Sequence, residues 1–245
     1  MTQTKLVHEA MAHRLVLKPV DSTFSLKDHI YGVLKEGITS MNIYAEDAEL
    51  KLDERQLSEQ LRISRTPIRE ALARLAQDGL VRIVPRRGVL IVRKSVDEIL
   101  EMIIAWAALE SMAARLATTR ASDAEIGSLR RMLARFSQEE VRTRIDEYSE
   151  TNIKFHQRIL ELSKCALLKS IADGLFIHMR AIRARTMAED DRANRSIVDH
   201  AHIIEALEAR DADLAERLVR EHTLNLYAHV QQTWVEPDGP RKQAS

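Results

Sequence analysis

The sequence has little of what marks a secreted or membrane protein. Its single cysteine excludes an internal disulfide bond. No apolar run approaches the roughly 20 residues that a membrane-spanning helix needs, and the first fifteen residues lack the apolar core of a secretory signal. Glycine and proline are also scarce, at 7 and 5 in 245 residues. We therefore expect a cytoplasmic, mainly helical protein with no membrane partner.

The chain as a whole also lacks an excess of either charge, because 37 basic and 37 acidic residues cancel. Taken globally, this balance argues against a protein that binds nucleic acid. The distribution is uneven, however, since residues 51–94 contain eleven Lys and Arg against five Asp and Glu. A local excess of this size indicates a polyanionic partner.

The length and the 45% hydrophobic content allow two domains, each with a core of its own. Breaks in the apolar periodicity divide the chain into four parts. We predict an N-terminal arm over 1–22, a first domain over 23–94, an all-helical second domain over 95–234 and a tail over 235–245.

The first domain shows three predicted helices followed by a β-hairpin. Apolar residues recur at helical spacing over 26–38. Asp53 offers an N-cap for the short helix ERQLSEQL, and Ser64 offers one for the helix RTPIREALARLAQDG. Two β-prone runs, LVRIV and VLIVR, are joined by the basic tip 85–88.

The second domain contains only helical patterns, separated by polar turns. Ser95 with Glu98 and Ser122 with Glu125 each have the spacing of a capping box, which predicts helices from these serines to about residues 119 and 137. Further helices are predicted near 140–163, 166–187, 191–209 and 212–232. The prediction is therefore a domain of six helices.

Helix, short helix, turn, basic helix and basic-tipped hairpin follow in the order of a winged helix-turn-helix. A helix of this width fits the major groove of DNA, where arginine pairs with guanine. The hydroxyls of Ser64 and Thr66 suit phosphate oxygens, and Gly88 allows the wing tip to approach the duplex closely. The alternative is that these arginines form a solvated helical face, but the combination of turn, cap and wing favours DNA binding.

The segment LDERQLSEQLRISRTPIREALARLAQDGLVRIVPRRGVLIV resembles the signature of GntR-family regulators. The resemblance implies that the second helix, the third helix and the wing contact operator DNA. One departure is the preceding loop, where Tyr44-Ala-Glu-Asp-Ala replaces the usual Pro-Pro-Gly. When the hydroxyls of Ser64 and Thr66 are included, the predicted DNA-binding residues are Arg55, Ser64, Arg65, Thr66, Arg69, Arg86, Arg87 and Gly88.

Histidines on three predicted helices can converge on one point. His200 and His222 each lie eleven residues from the turn at Asp211, about 16 Å along an antiparallel helix pair. His156 has Asn152 one turn before it on the same face. Three imidazoles and an amide oxygen can surround one divalent metal. Spacing alone leaves open the alternative that each is an ordinary half-buried histidine.

Residues 95–232 are similar to the FCD type of GntR sensor domain, through Leu109-Glu110, Asn152-x-x-Phe155-His156 and the segments around His200 and His222. The resemblance implies that Asn152, His156, His200 and His222 bind a divalent metal, zinc or nickel, which helps to hold a small carboxylate effector. Two residues depart from the family pattern. Asn152 stands where aspartate is frequent, and Trp106 stands where the family often places an arginine that partners an organic acid.

We expect Trp106, Glu110 and His178 to line the effector pocket. The other histidines are expected to be structural.

Together these features predict a homodimeric regulator, most often a repressor, that binds a palindromic operator in double-stranded DNA and responds to a small molecule. One recognition helix reads too few base pairs for useful specificity, so a dimer is expected. The alternative function is a helical metalloenzyme built on His156, His200 and His222. The sequence contains no His-Glu-x-x-His and no Glu-x-x-His, which argues against that alternative.

Overall fold

A computed structural model of the chain describes residues 26–45, 48–136, 143–187, 189 and 191–234. The predicted arm over 1–22 and the predicted tail over 235–245 lie outside these residues. Within them the architecture is mainly helical with one small antiparallel sheet. The predicted fold class, a winged helix-turn-helix followed by an all-helical bundle, is confirmed.

Twelve elements follow one another along the described part of the chain. They are α1 (Leu26–Ser40), β1 (Lys51–Leu52), α2 (Glu54–Leu61), α3 (Arg65–Gln77), β2 (Val81–Val84), β3 (Gly88–Ile91), α4 (Val96–Arg120), α5 (Asp123–Leu133), α6 (Ile145–Leu162), α7 (Ala166–Met187), α8 (Arg192–Glu208) and α9 (Ala212–Thr233).

The two caps predicted for the helix-turn-helix behave differently. Asp53 accepts hydrogen bonds from the amides of Arg55 and Gln56, at 2.8 and 3.0 Å, and so caps α2. Ser64 occupies the N-cap position of α3 with extended backbone, but its side chain makes no capping bond. The hydroxyl of Ser64 is therefore not used in the helix, and it stays exposed beside the first turn of α3.

The wing is a three-stranded sheet in the order β1-β3-β2. The predicted hairpin pairs β2 with β3, and Val84 lies opposite Gly88 at its tip. The third strand was not predicted, because β1 has only two residues and no alternating pattern of its own. It pairs Lys51 with Leu90 and thereby joins the loop before α2 to the wing.

The helical domain is organised around α4, which packs along α9 and against α6 and α7. Both predicted capping boxes are present, at Ser95 with Glu98 and at Ser122 with Glu125. The second of these helices, α5, ends at Leu133, before the predicted residue 137. The chain turns there because the Phe136 amide bonds the Leu133 carbonyl at 2.9 Å. Among the described residues, no helix is both long and apolar enough to cross a membrane.

Candidate functional sites

Three buried histidines from three helices meet in the interior of the helical domain. His156 lies on α6, His200 on α8 and His222 on α9. One nitrogen from each ring lies within 4.8 Å of the other two, and the ring centroids are 4.8 to 5.3 Å apart. The convergence predicted from the turn at Asp211 is therefore present in the structure.

Two of these imidazoles are oriented by carboxylates. Nδ1 of His156 donates to the buried carboxylate of Glu110 on α4. Nδ1 of His222 donates to Asp199 at 2.9 Å. A carboxylate on one ring nitrogen fixes the tautomer and leaves the other nitrogen as a lone-pair donor, which is the usual arrangement around metal-bound histidines.

The remaining nitrogens have the character of metal ligands. Nδ1 and Nε2 of His200 and Nε2 of His222 are buried without a hydrogen-bond partner among the described residues. Burial lowers the pKa of all three histidines below the ordinary value, so the rings are neutral at neutral pH. The neutral, unpartnered nitrogens of His200 and His222 suit a borderline metal such as zinc or nickel, and His156 completes a set of three nitrogens that fits such an ion.

Asn152 lies on α6 one turn before His156 and is fully buried. Its Oδ1 accepts a hydrogen bond from Ser196 at 3.3 Å, and Tyr148 in turn donates to Ser196 at 3.0 Å. Its Nδ2 has no partner among the described residues. The amide oxygen expected as a ligand is thus held by a serine hydroxyl in this structure.

Sequence reasoning missed one buried side chain that contacts the cluster, Arg183 on α7. It is only 3% exposed, and its Nη1 donates to Nε2 of His156 at 2.7 Å. Its Nη2 lies 3.8 Å from Glu110. The sequence signal for its burial is its position between two methionines, Met179 one turn before and Met187 one turn after, which are both buried in the structure. An arginine between two buried apolar residues on one helical face is costly to bury unless it is paired.

The expected pocket residues Trp106 and Glu110 do lie beside the histidine cluster. The indole N–H of Trp106 donates to Glu110 at 2.7 Å, and Thr223 donates to the same carboxylate at 3.3 Å. Burial raises the pKa of Glu110, while the nearby guanidinium of Arg183 opposes that shift. Trp106 thus partners the protein's own carboxylate.

His178 lies elsewhere and corrects the expectation that it forms a wall of the effector pocket. Its Nδ1 is 3.3 Å from the hydroxyl of Tyr44, in the loop between α1 and β1. Five residues separate His178 from Arg183 on α7, which places them about 140° apart around the helix. His178 therefore belongs to the junction between the first domain, α1 to β3, which we call the wing domain, and the helical domain, α4 to α9.

The junction is built around Tyr44, which is 2% exposed. Its ring makes an edge contact with Trp234 after α9, with centroids 5.1 Å apart. Its carbonyl accepts from Arg185 of α7 at 3.5 Å, and its hydroxyl accepts from the Lys94 amide at 3.4 Å. The loop that departs from the family pattern thus contacts both α7 and the end of α9, beside the packing of α1 on α7.

A cleft of about 600 Å³ between α8 and α9 leads to the histidine cluster. Its lining includes Arg192, Ser196, Asp199, His222 and His229. Because His222 belongs both to this lining and to the cluster, the cleft borders the centre on the side of His222 and Asp199. Its charged and polar lining suits a polar ligand.

All predicted DNA-contacting residues are exposed. Arg65 and Thr66 open α3. Two others form ion pairs, since Arg69 lies 2.6 Å from Glu54 and Arg55 lies 3.4 Å from Glu59. Arg86, Arg87 and Gly88 form the wing tip, where the φ of Gly88 is +96°. That backbone conformation favours glycine, which is a further reason for glycine there besides close approach.

Arg74 of α3 has a structural role. It lies 2.7 Å from Asp28 of α1 and 4.0 Å from the Tyr31 ring centroid. The ion pair with Asp28 and the contact with the Tyr31 ring join α3 to α1. The predicted DNA-contacting arginines of α3, Arg65 and Arg69, lie nearer its N-terminal end.

Two family models match the chain. Residues 26–91 match the family described as bacterial regulatory proteins, gntR family, and residues 99–225 match the FCD domain.

Several named proteins are similar over most of the chain. The HTH-type transcriptional repressor RspR of Escherichia coli strain K12 is 25% identical over 213 residues, which cover 87% of this chain and 92% of RspR. The Nta operon transcriptional regulator of Aminobacter aminovorans is 32% identical over 173 residues, or 70% of this chain and 80% of that protein. Among solved structures, E. coli McbR/YncC shares the fold with a TM-score of 0.71 and 22% identity, covering 86% of this chain and 99% of that one.

Proposed function

Since the chain belongs to the GntR family of bacterial transcription regulators and carries an FCD effector-binding domain, we propose that it is a dimeric, metal-dependent repressor. It is a regulator of transcription and not an enzyme. The alternative of a helical metalloenzyme is therefore wrong, and the histidine cluster serves sensing. A protein that regulates transcription in a bacterium works in the cytoplasm.

The exposed basic end of α3 and the basic wing tip are the observation that carries the proposal. Arg65 and Thr66 enter the major groove, where arginine pairs with guanine and the hydroxyl bonds a phosphate. Arg86 and Arg87 at the wing tip contact the adjacent backbone or minor groove. Arg69 joins the contact once a phosphate or base replaces Glu54 as its partner.

The histidine cluster binds one divalent metal, zinc or nickel. His156, His200 and His222 supply three nitrogen ligands, and Asn152 supplies an oxygen when it releases Ser196. The support is the orphaned nitrogens of His200 and His222 and the carboxylates behind His156 and His222. When bound, the metal supplies a Lewis-acid position to which an oxygen of the effector can coordinate.

The effector is a small polar metabolite, an organic acid among the expected classes, which enters through the cleft between α8 and α9. Occupancy of the centre changes the position of α7 relative to Tyr44, because α7 contacts both. The two domains then favour a different arrangement, and operator affinity changes by a population shift.

The protein works as a homodimer on a palindromic operator. Two recognition helices are needed to read enough base pairs. The helical domain exposes apolar side chains that a second copy can cover: Ile104 and Met112 on α4, at 52% and 42%, and Leu167 and Ile171 on α7, at 71% and 53%. Burial of these residues in a symmetric interface accounts for their exposure in one chain.

Selection of duplexes from a random library by the full chain, followed by gel-shift titration at several salt concentrations, tests the DNA-binding role. We expect a two-fold symmetric sequence and an affinity that falls steeply with salt. Arg65→Ala weakens binding by about tenfold or more, while the matched exposed control Arg131→Ala on α5 leaves it unchanged. Equal affinities for the two variants, or the absence of salt-sensitive binding, contradict the proposal.

A further inference from the structure

The side chain of Arg183 lies where a metal ion would approach Nε2 of His156. His156 uses Nδ1 for Glu110, so Nε2 is the nitrogen left to coordinate a metal. That nitrogen instead accepts a hydrogen bond from Nη1 of Arg183 at 2.7 Å. A lone pair cannot serve a guanidinium proton and a metal ion at the same time.

Arg183 has unused hydrogen-bonding capacity in the same place. Its Nε and Nη2 are buried without a hydrogen-bond partner among the described residues. A guanidinium presents paired N–H groups that match the two oxygens of a carboxylate. Trp106, in the place of the family's arginine, bonds Glu110 at 2.7 Å. Arg183 is thus the basic group that the centre offers to an anion.

The charges of the centre point to the same ligand class. A divalent metal and Arg183 bring three positive charges against the two carboxylates of Glu110 and Asp199 that hold the histidines. The sum is one positive charge, and because Asp199 is itself 34% exposed, the buried part of the centre holds the excess of positive charge. An uncompensated buried charge is unfavourable, so an anionic ligand stabilises the metal-bound centre.

We propose that Arg183 is the specificity-determining residue of this sensor: it holds the metal-facing nitrogen of His156 until a metal displaces it, and then binds the carboxylate of the effector. The inference rests on the proposed metal site. It also connects the centre to the domain junction, because Arg183 lies two residues from Arg185, whose guanidinium bonds the Tyr44 carbonyl. The arginine at the centre and the arginine at the junction thus lie on the same helix, α7.

Calorimetric titration of the chelator-treated full chain with Zn²⁺ alone tests the displacement. We expect Arg183→Met to bind Zn²⁺ about tenfold more tightly than the wild type, because a competing hydrogen bond and a like charge are removed. Arg180→Met is the matched control, one turn earlier on α7 and paired with Glu150 at 2.6 Å, and its Zn²⁺ affinity stays that of the wild type. Equal affinities for Arg183→Met and wild type overturn the inference. A wild type that binds no Zn²⁺ overturns the metal site itself.

Sodium acetate, added to the Zn²⁺-loaded protein, tests the second step. It raises the melting temperature of the wild type and of Arg180→Met, and not that of Arg183→Met. An equal rise in Arg183→Met overturns the assignment of Arg183 to the carboxylate.

A measurement on the wild type keeps the inference testable if Arg183→Met does not fold. In a ¹⁵N-arginine sample the side-chain resonance of Arg183, identified by its absence from Arg183→Lys, shifts when Zn²⁺ is added. A resonance that stays in place while Zn²⁺ binds overturns the displacement.

Discussion

The hydroxyl of Tyr44 lies 3.3 Å from Nδ1 of His178, and this bond joins side chains 134 residues apart in the chain. The same hydroxyl accepts a hydrogen bond from the Lys94 amide at 3.4 Å. Burial raises the pKa of Tyr44 to about 12, so the phenol stays protonated and donates to the neutral imidazole. One side chain thus connects the loop after α1, the segment just before α4 and α7 itself.

Removal of this hydroxyl is expected to weaken the junction. Tyr44→Phe keeps the ring contact with Trp234 but leaves His178 and the Lys94 amide without a partner, which costs about 1 to 3 kcal/mol of unfolding free energy. Denaturant unfolding measures that loss. The control is Tyr227→Phe on α9, for which we expect less than about 0.5 kcal/mol. A loss in Tyr44→Phe no greater than in the control contradicts the role of the junction.

Acid is expected to destabilise the protein partly through His178. Burial is the largest cause that lowers its pKa to about 4, with a smaller contribution from Lys94. The unfolded chain binds the proton below about pH 6.5 while the folded chain does not. Stability is therefore present above pH 6.5 and is lost as the pH falls from there towards 4.

Replacement of His178 isolates this contribution. His178→Gln keeps an acceptor for Tyr44 but does not titrate, so its unfolding free energy falls less steeply between pH 6.5 and 4.5, by about 1 kcal/mol per pH unit. Urea unfolding at several pH values gives both slopes. His202→Gln, an exposed site on α8, should keep the wild-type slope, and an unchanged slope in His178→Gln refutes the prediction.

Two glycines, one at the wing tip and one in α1, provide substitutions with opposite expected effects on stability. Gly88→Ala places a residue with a side chain at a backbone φ of +96°, which destabilises the protein by about 1 to 2 kcal/mol. Gly37→Ala, in α1, meets no atom within 4 Å and stabilises by up to about 1 kcal/mol because alanine favours helix. Thermal unfolding measures both. Gly88→Ala should also weaken operator binding, and equal stability changes in the two variants count against the strained tip.

Replacement of His200 tests whether the cluster is a metal site or a set of packed histidines. His200→Leu removes two buried nitrogens without partners, so the metal-free protein should be as stable as the wild type or more stable. Added Zn²⁺ should raise the melting temperature of the wild type and of His202→Leu, but not that of His200→Leu. Thermal unfolding with chelator and with Zn²⁺ gives the comparison. A Zn²⁺ response that survives in His200→Leu contradicts the cluster as the metal site.

Local patterns in the sequence predicted most elements of the fold. The capping boxes at Ser95 and Ser122 and the cap at Asp53 set helix starts, because they depend on groups only two or three residues apart. The sequence also predicted that His200 on α8 and His222 on α9 lie side by side, because both are eleven residues from the turn at Asp211. The two-residue strand β1 and the early end of α5 escaped prediction, since both depend on contacts made after folding.

By itself, the sequence determined the fold class, the exposed basic end of α3 and the convergence of three histidines, because helical period and turn position decide them. Only the tertiary structure decided which side chains complete the centre. Arg183 reaches His156 from 27 residues away on a neighbouring helix, and His178 contacts Tyr44 from 134 residues away. No local pattern encodes such contacts, because the packing angle and rotation of each helix depend on the whole core.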